Sequence, residues 1–240
     1  GLDRLPRLGE ELRTPSFLRT YGGGVTITSV AASRLGVAAR VVSGLSDGAV
    51  AMLRAEGVQV TNLKKRGEGH AITAALSTPQ DRAFVTFDGV NAVLGPRFLK
   101  ALGKLEARIV HCAMCPRDIP PLVRVLNGLR ECGALVSMDV GYDRDLAKDP
   151  ALKQLFAAAD FVFVNGDEAK LYSRRSAAAR AESFWKEHAR NTVIKLGAKG
   201  SRWISPKGIV EEPALKVRTV DTTGAGDAFN AGFLAGLLSG

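Results

Sequence analysis

Near the carboxyl end the chain reads Asp221-Thr222-Thr223-Gly224-Ala225-Gly226-Asp227-Ala228-Phe229 and runs straight into an apolar stretch over 228–238. Gly224 and Gly226 allow close backbone approach. The first amides of the helix that follows have no intrahelical acceptor, so the turn is a ready anion site. Asp227 is the informative residue. A carboxylate beside an anion hole repels phosphate unless its task is to take a proton from a hydroxyl attacking that phosphate. The competing reading makes Asp227 a first-turn acid that is favourable with the helix dipole.

Other residues could assist. Asn165 and Glu168 are three apart, which puts an amide and a carboxylate on one side of a first helical turn. The pair suits Mg²⁺, which takes a few oxygen ligands and keeps water, and it equally suits a helix cap with its partner acid. Lys195 ends an apolar run ahead of Gly197 and Gly200 and could neutralise phosphate charge or be a plain strand-end lysine. Gly22, Gly23 and Gly24 allow close approach to a ligand or serve as a hinge. His111, Cys112 and Cys115 have part of a zinc spacing, but no second pair matches it, and a buried strand end is the better account. Asp139 and the nearby Asp143 and Arg144 suit a place near phosphate or a structural ion pair.

Positioning these groups requires strands that end where they lie. Apolar or β-branched runs at 39–43, 108–113, 134–139, 160–164 and 192–196 predict buried strands, and Val110, Val136, Val162 and Ile194 recur at intervals of 26, 26 and 32 residues. That is the rhythm of βαβ units. It predicts an α/β fold, a doubly wound and mostly parallel sheet flanked by helices, with ligands at the carboxyl ends of the strands. Helices are predicted over 26–35, 48–56, 96–105, 119–132, 150–158, 167–172, 177–190 and 224–238, with Pro96 and Pro150 in first turns. Segments 12–20, 71–76 and 83–87 break the rhythm and predict antiparallel strands. With a turn at Ser77-Thr78-Pro79-Gln80-Asp81 they would form a small β-flap, a lid from parts of 11–21 and 71–88.

Composition bounds the function. The 240 residues carry 33 Lys and Arg against 24 Asp and Glu, a net charge of +9, with only 6% aromatic residues. Anionic metabolites suit this balance, whereas base-stacking recognition of nucleic acid does not. No apolar run is long enough to span a membrane, the amino terminus does not read as a signal peptide, and three cysteines suit a reducing compartment. A cytoplasmic protein is expected.

The 221–229 string closely resembles the C-terminal signature of the ribokinase-like (PfkB) family of sugar and nucleoside kinases. In chain order, Tyr21-Gly22-Gly23-Gly24 before a helix ending Ser33-Arg34-Leu35-Gly36 resembles the family's N-terminal signature. Asn165-Gly166-Asp167-Glu168 resembles its NxxE motif, and 193–200 resembles its nucleotide-loop strand. The resemblance spans nearly the whole chain as one ribokinase-like domain over 1–240. It implies ATP-dependent phosphorylation of a hydroxyl of a sugar, sugar derivative or nucleoside, with Asp227 as general base. Gly224, Ala225 and Gly226 would form the anion hole. Asn165 and Glu168 would arrange Mg²⁺ and the nucleotide phosphates, Lys195, Gly197 and Gly200 would border the nucleotide, and Gly22 and Gly23 would approach the sugar beneath the lid. In some family members a monovalent cation such as K⁺ lies near the position of Asp221. Homodimerisation through the lid is a further expectation.

The chain departs from the family pattern in places. Ile27 stands where the family commonly has a substrate-facing Asn, the segment 43–48 is irregular, and the family's first strand and its C-terminal segment would lie beyond Gly1 and Gly240. Ile27 and the irregular segment 44–48 motivate an alternative expectation, a non-catalytic ligand-binding or regulatory protein that keeps the fold.

Overall fold

The structure is a computed structural model that describes residues 2–78, 82–114, 117–176, 178–219 and 221–240. Among them are ten strands: β1 (Arg40–Ser43), β2 (Gln59–Asn62), β3 (Ile72–Ser77), β4 (Arg82–Phe87), β5 (Ile109–Ala113), β6 (Leu135–Asp139), β7 (Phe161–Asn165), β8 (Thr192–Lys195), β9 (Ser201–Ser205) and β10 (Gly208–Glu212). Eight α-helices alternate with them: α1 (Gly24–Arg34), α2 (Asp47–Ala55), α3 (Gly95–Leu102), α4 (Ile119–Glu131), α5 (Leu152–Ala158), α6 (Gly166–Ser173), α7 (Ala178–His188) and α8 (Ala225–Ser239).

The main sheet has the order β10-β9-β8-β7-β6-β5. Strands β5 to β8 are parallel, and β9 and β10 are added antiparallel at one edge. β7 shows why the sheet must be covered twice. Successive side chains point to opposite faces, and all of Phe161, Val162, Phe163 and Val164 are buried. Val162 and Val164 join the core that α4, α5 and α7 complete with Leu122, Leu126, Phe156 and Trp185. Phe161 and Phe163 join Leu234 and Phe233 of α8 on the other face. Each such burial contributes roughly 1.5–3 kcal/mol, so the alternation fixes which helices lie on which side. β1 and β2 form a separate parallel pair packed by α2, where Val41, Leu53 and Val58 are buried and Val25 and Val30 of α1 lie against them.

The strands and helices expected along 39–196 are present with boundaries shifted by a few residues. Segment 12–20 is no strand: it has no ladder partner, Pro15 lacks an amide donor, and Phe17 and Leu18 are exposed. Among the described residues the small antiparallel flap therefore consists of β3 and β4 alone, paired from Ile72 with Phe87 to Ser77 with Arg82. Pro79, Gln80 and Asp81 of the expected turn, and Cys115, lie outside the described residues. β2, β9 and β10 were not anticipated. β10 is exposed along its whole length and so carries no buried-face pattern to read.

Candidate active site

The amino end of α8 and the carboxyl ends of β5 to β8 form the site. Gly224 is the N-cap of α8 in a left-handed conformation, φ 75°. A methyl group there would also sit 2.8 Å from the Ile27 side chain, so glycine is required twice over. Ile27 thus fills the space beside the turn instead of offering a polar contact. The Ala225 amide does not face outward as expected: it closes a turn onto the Thr222 carbonyl at 3.1 Å. Two amides of the first turn, those of Gly226 and Asp227, have no acceptor among the described residues.

Asp227 is half-buried on the third residue of α8. Burial pushes its carboxyl above the ordinary aspartate range. Asp139 adds to that rise and Lys195 opposes it. α1 closes on it from the other side, where the Thr28 hydroxyl donates to the Asp227 carbonyl at 3.2 Å. A methyl group on Gly24 would lie 3.2 Å from an Asp227 carboxylate oxygen. Gly24, Thr28 and Asn230 belong to the neighbourhood of Asp227; the sequence reading offered Gly24 only within the glycine run and gave Thr28 and Asn230 no role. The third glycine of Gly22-Gly23-Gly24 was the available signal. Gly22 and Gly23 have open space around them and line a cleft with Ile27, Ala113 and Thr223; Gly23 caps α1 at φ 98°.

Lys195 is mostly withdrawn from solvent in an ion pair. Its Nζ donates to Asp139 Oδ2 at 2.6 Å, and Asn230 Nδ2 donates to the same oxygen at 2.7 Å. Burial works to raise the Asp139 carboxyl, but Lys195 and Asn230 outweigh it and hold it below the ordinary range. Lys195 pairs in register with Asn165 on β7, which sets the two motifs side by side.

Asn165 and Glu168 form a capping box. Asn165 Oδ1 accepts from the amides of Asp167 and Glu168 at 2.9 Å, and Glu168 Oε2 accepts from the Asn165 amide at 2.7 Å. The cap expectation is therefore met without removing the other one. Glu168 is buried, and burial pushes its carboxyl above the ordinary range. Its second oxygen has no hydrogen bond among the described residues, as suits a carboxylate that would face a cation. No group of three His, Cys, Asp or Glu that could hold a metal occurs among the described residues. The donors therefore fit Mg²⁺ that keeps water and takes its other ligands from nucleotide phosphate, and do not fit an all-protein cage.

Gly197, at φ 58°, borders open space. Gly200 does not: a methyl group there would lie 1.9 Å from the Glu212 carbonyl oxygen, so it serves the close approach of the turn before β9 to the end of its partner strand β10. Asp221 is exposed, and its Oδ1 accepts from the Thr223 amide and hydroxyl at 2.8 and 2.7 Å. Cys112 is buried and its thiol is pushed up to about 12, which makes it a poor metal ligand. Asp143 holds its own loop by accepting from the amides of Asp145 and Leu146.

A model of the pfkB family carbohydrate kinase matches residues 3–240. The chain is 29% identical over 249 residues to an ATP-dependent ribose-1-phosphate kinase from Halopiger xanaduensis, covering 99% of this chain and 80% of that one. The fold is similar to that of an adenosine kinase from Sinorhizobium meliloti, with a TM-score of 0.79 at 22% identity over 91% of this chain and 72% of the other. It is also similar to a putative ribokinase II from E. coli in complex with ATP and Mg²⁺, with a TM-score of 0.74 at 22% identity over 97% and 81%.

Proposed function

The chain belongs to the pfkB family of carbohydrate kinases and is a phosphotransferase with an alcohol group as acceptor, and we propose that Asp227 is the base that activates that hydroxyl. The observation that carries this reading is a half-buried carboxylate at the third position of α8, beside two amides of its own turn that lack acceptors. The acceptor is a sugar, a sugar derivative or a nucleoside. ATP is the donor.

Asp227 takes the proton of the hydroxyl as its oxygen bonds to the γ-phosphorus. The bond from that phosphorus to the bridging oxygen of ATP breaks, and ADP leaves with the electron pair. The amides of Gly226 and Asp227 donate to the transferred group as its charge redistributes, and Gly224 lets the turn approach it. Asn165 and Glu168 would hold Mg²⁺, which supplies charge compensation for the nucleotide phosphates when bound. Gly197 gives the nucleotide room. Gly22 and Gly23 would bring the chain close to the acceptor, and the β3–β4 hairpin would cover it and exclude water that would otherwise consume ATP. Exposed Ile72, Val85 and Phe87 on one face of that hairpin support a homodimer through the lid. A cytoplasmic setting belongs to the same proposal. K⁺ near Asp221 remains an expectation drawn from the family alone.

The test is ADP formation with MgATP across a panel of sugars, sugar phosphates, sugar acids and nucleosides, with Asp227→Asn in parallel. Acceptor-dependent ADP, reduced roughly 10²–10⁴-fold in the variant, is the expected result. Undiminished turnover in Asp227→Asn would remove the base assignment. Acceptor binding without ADP formation would favour a ligand-binding protein.

A further inference from the structure

Behind the glycine turn lies a buried polar group that the transfer step above does not use. Asp139 ends β6, Lys195 ends β8, and Asn230 sits on α8 one turn beyond Asp227. The side chains of Lys195 and Asp139 are only 14% and 12% exposed, and Asn230 is fully buried. Every pair among the three is bonded, because Lys195 Nζ also reaches Asn230 Oδ1 at 3.3 Å. The ammonium lies against the turn itself: a methyl group on Gly226 would meet Nζ at 3.2 Å. A buried ion pair stabilises a fold poorly compared with packed apolar groups, so orientation is the property that such a cluster can supply.

We propose that Asp139 is a positioning residue: it ties Lys195 and Asn230 to the end of β6, so that a fixed positive charge stands beneath Gly226 and α8 holds Asp227 in one orientation. This rests on the reading of Asp227 as the base. Lys195 then serves the transferred group from behind the turn, not as a mobile arm reaching for the nucleotide. The charged groups that act on Asp227 are Asp139 from β6 and Lys195 from β8, and that pair is in turn faced by Glu168 from α6 and His111 from β5. α1 contributes Gly24 and Thr28, which carry no charge.

The test compares Asp139→Asn, Lys195→Met and the double variant by steady-state kinetics, with hydrogen exchange of the free proteins as a second readout. Asp139→Asn is expected to lower kcat roughly 10–100-fold with little change in either KM. The double variant should lose clearly less than the sum of the two single losses, because Asp139 acts in part through Lys195. The acid limb of kcat/KM should move to lower pH in Asp139→Asn and to higher pH in Lys195→Met, since one removes a negative and the other a positive neighbour of Asp227. Exchange should rise over 224–230 and stay unchanged in β9 and β10. Additive losses, or a kcat and local exchange equal to wild type in Asp139→Asn, would overturn the proposal. If Asp139→Asn loses its fold, Asn230→Ala carries the test with the same readouts, and no change in either would overturn it. If wild type forms no acceptor-dependent ADP, the kinase chemistry assigned to Asp227 fails separately, and exchange over 224–230 still decides whether Asp139 orders the turn.

Discussion

Gly24 on α1 and Asp227 on α8 approach so closely that a methyl group on Gly24 would lie 3.2 Å from an Asp227 carboxylate oxygen and 2.8 Å from the Ala113 side chain. Two helix amino termini that are about 200 residues apart in the chain therefore meet at one carboxylate. Gly24→Ala is expected to cost roughly 1–3 kcal/mol by overpacking. It should also lower kcat/KM for the acceptor about 10-fold or more, since displaced catalytic groups are costly. Urea unfolding and acceptor titration check the two effects, and a variant with wild-type kinetics would show that α1 does not constrain Asp227.

Burial and Asp139 raise the Asp227 carboxyl, and the ionised form is the base. Activity should therefore fall as pH drops through a value above the ordinary aspartate position near 3.8. A kcat/KM profile whose acid limb lies at or below 3.8 would contradict the environment found for this residue.

His111 donates to or accepts from the Ser137 hydroxyl at 2.9 Å, packs edge-on to Phe163, and has a buried Nε2 with no partner among the described residues. Burial lowers it from 6.5 to about 4. The unfolded chain therefore takes up a proton first, so stability is lost as pH falls from about 6.5 towards about 4 and is fully present above 6.5. Thermal unfolding across this window should show the decline in wild type and a flatter curve in His111→Leu. Equal slopes would assign the decline to other groups.

At Gly200 the backbone is at φ 94° and a methyl group would meet the Glu212 carbonyl at 1.9 Å. Gly200→Ala combines backbone strain with a collision against main chain that cannot rotate away, for a loss of roughly 2–4 kcal/mol. Denaturant midpoints measure it. A variant as stable as wild type would mean that β9 and β10 shift freely at that end of their ladder.

Much of the architecture was legible because its causes are local. Runs such as 161–164 are apolar at every position, which only a strand covered on both faces tolerates, and the spacing of such runs leaves room for one helix each. Asp227 and its glycines were legible for the same reason: a helix start, two glycines and an acid lie within four residues. β10 escaped notice because an exposed edge strand shows no buried alternation. Segment 12–20 misled because β-like residue types do not make a strand without a partner ladder.

The sequence by itself determined the alternation of buried parallel strands and helices along 108–196 and the string that carries the chemistry, since both depend on neighbours in the chain. Tertiary structure decided what surrounds Asp227. Lys195 meets Asp139 across 56 residues, and Asn230 meets Asp139 across 91. Such contacts follow from which strand ends lie side by side and from how α8 packs on them, and no spacing in the chain encodes that. The same packing turned Lys195 from a strand-end lysine into half of a buried pair, because a carboxylate removed from water needs a cation beside it.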